Sequence, residues 1–275
     1  MDAFFQYSFL QTALLAGLLA SIGCGIMGSY VVVKRIGYMA GGISHSVLAG
    51  MGAALFFGFS PMLGALLAAL LAALLIGWIK IRWQTQEDTL IGAMWAIGMS
   101  IGVLFISRTP GYSTDLMSYL FGNILLVSTT QLWEMAVLNI LVTAMVLAFY
   151  RQFLAVSFDE EFARLRGVPV NFFYLLFLCL VALTVVLLVQ VVGLILVIAL
   201  LTLPAAIAGH YVHTMGWMML LASLLGMTFT TFGIWLSYVL DMPTGAIIIL
   251  VAGGSFILSA IFSQWWQHRV QAAES

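Results

Sequence analysis

Long apolar runs separated by short polar interruptions make up most of this sequence of 275 residues. A helix that crosses the apolar part of a bilayer needs about 20 mostly apolar residues. Runs of about that length recur along the whole chain, at residues 9–33, 38–58, 61–79, 89–107, 131–150, 170–190, 193–209, 216–238 and 245–266. The pattern predicts an all-α integral membrane protein with eight or nine transmembrane helices in a single domain over residues 1–275. A shorter apolar stretch, residues 115–128, is predicted to be a half-helix packed against protein.

The composition agrees with a multi-pass membrane protein. Hydrophobic residues make up 64% of the chain and charged residues only 7%, with a mean hydropathy of +1.16. A soluble domain carries about 25% charged residues. The net charge of -1 and the lack of a basic run disfavour a nucleic-acid partner. Cys24 and Cys179 lie in separate apolar runs and build neither a disulfide framework nor a thiolate metal cluster.

The positions of the basic residues predict the orientation of the chain. If the N-terminus lies outside, eight of the nine Lys and Arg residues fall on the cytoplasmic side, and Arg108 falls outside. Such an excess is typical of cytoplasmic loops. The predicted topology is therefore N-terminus out and C-terminus in. The eight residues are Lys34, Arg35, Lys80, Arg82, Arg151, Arg164, Arg166 and Arg269.

The longest polar interruption, SFDEEFARLRGVP, belongs to a predicted cytoplasmic loop at about 151–169. Either Ser157 or Asp159 is expected to cap a short helix there, and Gly167 is expected to end it. The helix is predicted to be either a solvated loop helix or a docking helix for a cytosolic protein. The spacing Glu161-x-Ala163-x-x-x-Gly167 is similar to the E-x-A-x-x-x-G coupling loop of ATP-binding-cassette importer permeases.

A histidine within the second predicted span is the leading candidate for chemistry. Ionisable side chains inside membrane segments are costly and usually face a partner, a cavity or a substrate path. His45 is therefore either a ligand on such a path or a packing residue. His210 and His213 form a weaker i, i+3 candidate pair at the cytoplasmic edge. Pro204 is expected to kink or end the seventh span, because proline removes a backbone donor, and to lie beside a pathway.

Missing motifs exclude several classes of protein. The sequence has no G-x-x-x-x-G-K-[ST] loop and no H-E-x-x-H motif, so neither a nucleotide site of the usual kind nor an intramembrane metalloprotease is predicted. An ion-coupled secondary metal transporter is the main alternative. It needs carboxylates within the spans, where Glu134 is the only acid in reach.

Six stretches in order resemble the zinc/manganese permease family of ATP-binding-cassette importers. The resemblance covers about residues 25–255. The stretches are SYVVVKRIGYMAGGISHSVLAG, EDTLIGAMW, STDLMSYLFGNIL, DEEFARLRGV, GLILVIALLTLPAAIAGHY and DMPTGAIIIL.

The resemblance implies a permease that is not itself an enzyme and holds no prosthetic group. It implies a homodimer in the bacterial inner membrane, with two cytosolic ATP-binding subunits and an extracytoplasmic metal-binding protein. The transported ion is expected to be zinc, with manganese or iron as other possibilities. Coupling to the ATPase is expected at Glu161, Ala163 and Gly167, which match the family's pattern.

The family's metal position carries over only in part. Its members commonly show G-D-A-x-S-H, which places an aspartate and a histidine on one helix face. In this chain Gly41 stands at the aspartate position, while Ser44 and His45 are retained. The resemblance therefore implies His45 as a metal ligand without its carboxylate partner. A nitrogen ligand without a carboxylate favours zinc over manganese.

Overall fold

The computed structural model describes residues 8–83, 87–109, 122 and 124–274, which form helices joined by short connections. A 3-10 turn at Ile124–Leu126 is the end of the predicted half-helix, most of which lies outside the described residues. The helices are α1 Ser8–Val33, α2 Gly37–Phe57, α3 Pro61–Trp83, α4 Glu87–Arg108, α5 Thr129–Ala148, α6 Tyr150–Phe158, α7 Glu160–Leu165, α8 Val170–Tyr211, α9 Met215–Leu240 and α10 Thr244–Glu274.

Nine segments of the described chain are long and apolar enough to cross a membrane, which confirms the predicted multi-pass architecture. Two of them, Val170–Val189 and Val192–Tyr211, belong to the single 42-residue helix α8. They meet at Gly193, where φ is 76° and ψ is 167°. Residues with a side chain rarely adopt this conformation, so a glycine is required at the junction.

The predicted end of the seventh span at Pro204 is wrong, while the other expectation, a kink at Pro204, stays a prediction. Helix α8 continues through Pro204 as far as Tyr211, and its one non-helical residue is Gly193. Proline is tolerated inside membrane helices because neighbouring helices and polar side chains compensate for the lost backbone bond. Pro204 is buried in the bundle, where such neighbours surround it.

Helix α2, which carries His45, is enclosed by α3 on one side and α4 on another, and it also packs against α8. Helix α1 makes its main contacts with α8 and α9. Small residues allow the close approaches, because van der Waals packing replaces the hydrophobic effect as the driving force between helices in lipid. Helix α2 is accordingly held from several sides at the level of its histidine.

The orientation of this bundle can be tested by labelling single cysteines in a variant without Cys24 and Cys179. Ser60 lies in the exposed turn between α2 and α3, and Thr214 lies exposed before α9. We expect Ser60→Cys to react with a membrane-impermeant maleimide in intact cells, and Thr214→Cys to react only after permeabilisation, because of the bias of basic residues. The reverse pattern would contradict the N-out topology.

Candidate functional site

His45 lies inside the membrane-spanning part of α2. It is the ninth residue of the helix Gly37–Phe57, about 12 Å along the axis from the helix start. Its side chain is 6% exposed, and its Nδ1 atom is buried without a hydrogen-bond partner in the described part of the protein. A buried polar atom is normally hydrogen-bonded. An unpartnered nitrogen is what a ligand position requires, so His45 stays the leading candidate.

One face of the His45 ring is covered by Trp95 of α4. The two ring centroids are 4.1 Å apart, and the ring planes differ by 17°, which is a stacked arrangement. Trp95 also lies against Tyr38, with a centroid distance of 5.9 Å. The nitrogen lone pairs of an imidazole lie in the plane of the ring. A partner stacked on the face of the ring therefore orients it without occupying the in-plane directions in which the nitrogen atoms bind other groups.

The stack depends on a close approach of α4 to α2. A Cβ atom added at Gly98 would lie 2.9 Å from the Ser46 Cα atom and 3.1 Å from the His45 carbonyl oxygen. Only glycine permits the two backbones to come this close. Trp95 precedes Gly98 by about one helical turn, so this contact brings the indole onto the imidazole.

Gly41 lies one turn before His45 on the same face of α2. A Cβ atom added at Gly41 would lie 3.2 Å from Trp95 Cζ3 and 3.6 Å from Ile198 Cδ1. The space in which a side chain at this position would extend is therefore occupied by the indole. Ser44 is fully buried, and its hydroxyl donates to the Ala40 carbonyl oxygen at 2.8 Å. The Ser44 hydroxyl proton is therefore engaged in a hydrogen bond within α2.

The other predicted pathway residues are not brought to His45. His210 contacts α10, with its Nδ1 3.4 Å from Ser259 Oγ and its ring stacked against Phe256. His213 is exposed, in the connection after α8. Among the described residues no three His, Cys, Asp or Glu side chains cluster in a way that holds a metal ion. His45 is therefore a ligand candidate for which the described part of one copy offers no complete ligand set.

The short helix predicted in the cytoplasmic loop is present as α7, Glu160–Leu165. Asp159 is its cap, since Asp159 Oδ1 accepts a hydrogen bond from the Phe162 amide at 2.9 Å. Gly167 has a φ of 78° and ends the segment. A preceding helix, α6, was not predicted from the sequence, because its apolar residues continue the run of the fifth span.

The two faces of α7 differ sharply. Ala163 is fully buried against the bundle. Glu161 is exposed on the other side, together with three apolar side chains: Phe158, Phe162 and Leu165, which are 66%, 50% and 87% exposed. Arg164 and Arg166 are exposed there as well, and Arg166 lies 5.1 Å from the centre of the Phe162 ring, so α7 and the end of α6 present a mixed charged and apolar surface. Such a surface on a short helix is typical of a helix that binds in a groove of a partner.

A buried lysine attaches α7 to the rest of the protein. Lys34 Nζ donates to Glu160 Oε1 at 3.0 Å and to the Val156 carbonyl oxygen at 2.8 Å, and lies 5.3 Å from the centre of the Tyr174 ring. Its side chain is 7% exposed. Burial lowers the pKa of Lys34, while the bond to Glu160 acts in the opposite direction. Lys34 lies in the turn between α1 and α2, so the connection leads from α7 to the helix of His45.

Sequence reasoning missed Trp95 and the role of Lys34. Trp95 stands at the end of the quoted stretch EDTLIGAMW, but no local pattern shows that its ring faces His45, about fifty residues earlier. The partner of Lys34 lies further still along the chain. A lysine directly after an apolar run looks like an ordinary anchor at the membrane surface.

Comparisons with known proteins identify the family. Residues 6–263 match the ABC 3 transport family. An uncharacterized membrane protein of Synechocystis sp. is 46% identical, covering 94% of this chain and 92% of that protein. The manganese transport system membrane protein MntC of Halalkalibacterium halodurans is 35% identical, covering 95% of this chain and 90% of that protein. The solved structure of PsaBC from Streptococcus pneumoniae in complex with Fab has a TM-score of 0.85 at 33% identity, covering 94% and 93% of the two chains.

These matches extend over nearly the whole chain, and they agree with the nine candidate spans of the described residues. They do not favour an ion-coupled secondary carrier. The chain belongs to the ABC 3 transport family and is a multi-pass membrane permease of a metal transport system.

Proposed function

We propose that this chain is the permease subunit of an ATP-driven importer of divalent metal ions, with zinc preferred over manganese. The observation that carries the proposal is the imidazole of His45 at membrane depth, with a buried nitrogen that has no partner among the described residues. The ion is the transported substrate, so the position of His45 needs only a few protein ligands that bind the ion weakly. For an ion to be conducted, the site must bind it strongly enough for the ion to enter and weakly enough for the ion to leave.

A second copy of the chain completes this metal position. Zinc takes about four ligands in proteins, and the described part of one copy offers no cluster of three. A homodimer supplies two His45 side chains, with water in the remaining positions. Most oligomers are symmetric pairs in which the same surface of each copy meets. Helix α4 carries Trp95 and has an outer face with exposed apolar residues, so it is a surface on which a second copy could pack.

Zinc preference follows from the missing carboxylate. Imidazole suits zinc, whereas manganese prefers oxygen ligands. With Gly41 in place of an acidic residue, helix α2 contains no carboxylate at all. The homologue named for manganese transport is 35% identical, so the two ions have to be compared directly.

The energy for transport comes from a separate ATPase that binds α7 at the cytoplasmic side. The sequence has no phosphate-binding loop. Glu161 and the apolar side chains around it form the contact surface, while Ala163 packs α7 onto the bundle and Gly167 provides the turn that ends it. Lys34 joins α7 to the α1–α2 turn, which gives movements of the ATPase a direct route to the helix of His45.

We expect the purified chain in liposomes to neither hydrolyse ATP nor accumulate metal. Adding an ATPase subunit and a metal-binding protein encoded beside it should give ATP-dependent uptake of radioactive zinc. An excess of unlabelled zinc should suppress this uptake more strongly than an excess of manganese. ATP-independent uptake driven by a proton or sodium gradient would contradict the proposal. Stronger suppression by manganese would leave the importer intact and overturn the zinc preference.

A further inference from the structure

We infer that Trp95 is a positioning and specificity-determining residue of the metal position: its indole ring orients the imidazole of His45 and excludes a second ligand from position 41. This inference rests on the proposed function of His45. It assigns to α4 a role in choosing the metal, although α4 contributes no metal ligand to the site.

The first part of the inference follows from the stacking geometry. A ring that lies parallel to His45 with its centroid 4.1 Å away prevents the imidazole from tilting about its side-chain bonds. Metal-ligating histidines are usually oriented by a hydrogen bond from the nitrogen that does not bind the metal. His45 Nδ1 is itself the nitrogen proposed to meet the ion, and the contact that fixes its ring in the described structure is the stack on Trp95. Stacking on Trp95 therefore performs the orienting task.

The second part follows from the space around Gly41. The nearest atoms to an added Cβ belong to Trp95 at 3.2 Å and to Ile198 at 3.6 Å, so even a methyl group requires the indole to shift. A carboxylate reaches further than a methyl group into the same space. Gly41 and Trp95 thus form a coupled pair, in which the size of one side chain limits the other. An oxygen ligand from this turn of α2 is available only when the indole is removed.

The experiment compares single and double variants in the complete importer, with expression and assembly checked by size-exclusion chromatography. Gly41→Asp alone should lower uptake of both zinc and manganese by about tenfold, and adding Trp95→Ala should restore uptake and raise the manganese-to-zinc ratio by about tenfold relative to wild type. Trp95→Ala alone should lower zinc uptake without favouring manganese. Calorimetric binding of zinc and of manganese to the purified importer should follow the same order.

Two controls separate the role of Trp95 from a general loss of structure. Trp133 of α5 is 70% exposed, so the Gly41→Asp, Trp133→Ala variant should remain as impaired as Gly41→Asp. If carboxylate-containing variants do not assemble, Gly41→Ala tests the same space without a charge. It should lower uptake in the wild-type background and have no further effect beside Trp95→Ala.

The outcomes distinguish this inference from the proposed function. If His45→Ala transports normally, the metal position itself is wrong. If His45→Ala is inactive but Gly41→Asp alone already shifts preference to manganese, the exclusion by Trp95 is wrong. The inference is also overturned if both single changes at position 41 behave identically with and without Trp95→Ala.

Discussion

Replacing His45 with alanine is expected to lower metal uptake by at least about 100-fold at limiting metal concentration. Loss of a residue that merely supports a metal ligand costs about 10- to 100-fold, and His45 is proposed to be the ligand itself. The measurement is uptake of radioactive zinc by a metal-starved host that expresses the complete importer. Expression of the variant in the membrane is determined in the same cells.

The loss should not arise from unfolding. His45→Ala removes one stacked aromatic contact with Trp95, and such pairs are worth about 0.5–1.5 kcal/mol beyond their buried area. The close approach of α4 at Gly98 depends on backbone atoms of residues 45 and 46, which the substitution leaves in place. Thermal unfolding of the purified variant should therefore stay within a few degrees of wild type, since about 1 kcal/mol shifts Tm by only about 2–4 °C in a chain of this size.

Ser46 offers a matched control on the same helix. It is buried next to His45, and its hydroxyl donates to the Gly42 carbonyl oxygen at 2.9 Å. Ser46→Ala removes a polar group of the same helix without touching the imidazole, and uptake should remain close to wild type. His45→Gln keeps a polar side chain of similar size but lacks the imidazole, and should be as inactive as His45→Ala. Normal uptake by His45→Gln would make His45 a packing residue.

The sequence predicted the helices of this protein better than the contacts between them. Apolar runs of about 20 residues define the spans because the bilayer sets their length. The cap was predicted at either Ser157 or Asp159 and occurs at Asp159, and the end at Gly167 was predicted, because capping depends on neighbours within a few residues. His45 was noticed because a titratable side chain stands out in an apolar run.

What the sequence did not predict depends on segments that are distant along the chain. The pairing of Trp95 with His45 and of Lys34 with Glu160 arises from packing of separate helices. The expected end of the seventh span at Pro204 does not occur, since α8 continues to Tyr211, whereas the junction at Gly193 falls at the predicted boundary between the sixth and seventh spans. Helix α6 was missed because it continues an apolar run.

Glu160 and Glu161 are neighbours in α7, and both are exposed, but only Glu160 forms an ion pair with the bundle among the described residues. Glu160 is bonded to the buried ammonium group of Lys34, so it holds α7 on the bundle. Glu161 is exposed beside apolar side chains that also face away from the bundle. A change at Glu161 is therefore the cleaner test of ATPase binding. A change at Gly167 is less clean, because its φ of 78° makes any larger residue strained whether or not an ATPase binds.

Reversing the charge in Glu161→Lys is expected to weaken binding of the ATPase by at least about tenfold and to abolish metal-stimulated ATP hydrolysis. The acidic side chain sits at the start of a helix that also exposes Phe162 and Leu165, so its partner surface is expected to present a complementary basic group. A lysine there repels that group, and like charges across an interface cost several kcal/mol. Co-purification of the ATPase and ATP hydrolysis in liposomes measure the two effects.

Asp88 provides the matched control for this charge reversal. It is an exposed acid in the first turn of α4, so Asp88→Lys makes the same change of charge and disturbs a helix start in the same way. Uptake by Asp88→Lys should stay within about twofold of wild type, because surface substitutions away from specific features change stability by only about 0.5 kcal/mol. Glu161→Gln should fall between wild type and Glu161→Lys, since it removes the attraction without adding repulsion. If Glu161→Lys retains full ATPase binding and turnover while the protein inserts normally, the outer face of α7 is not the docking surface, and the connection through Lys34 loses its proposed role in driving the helix of His45.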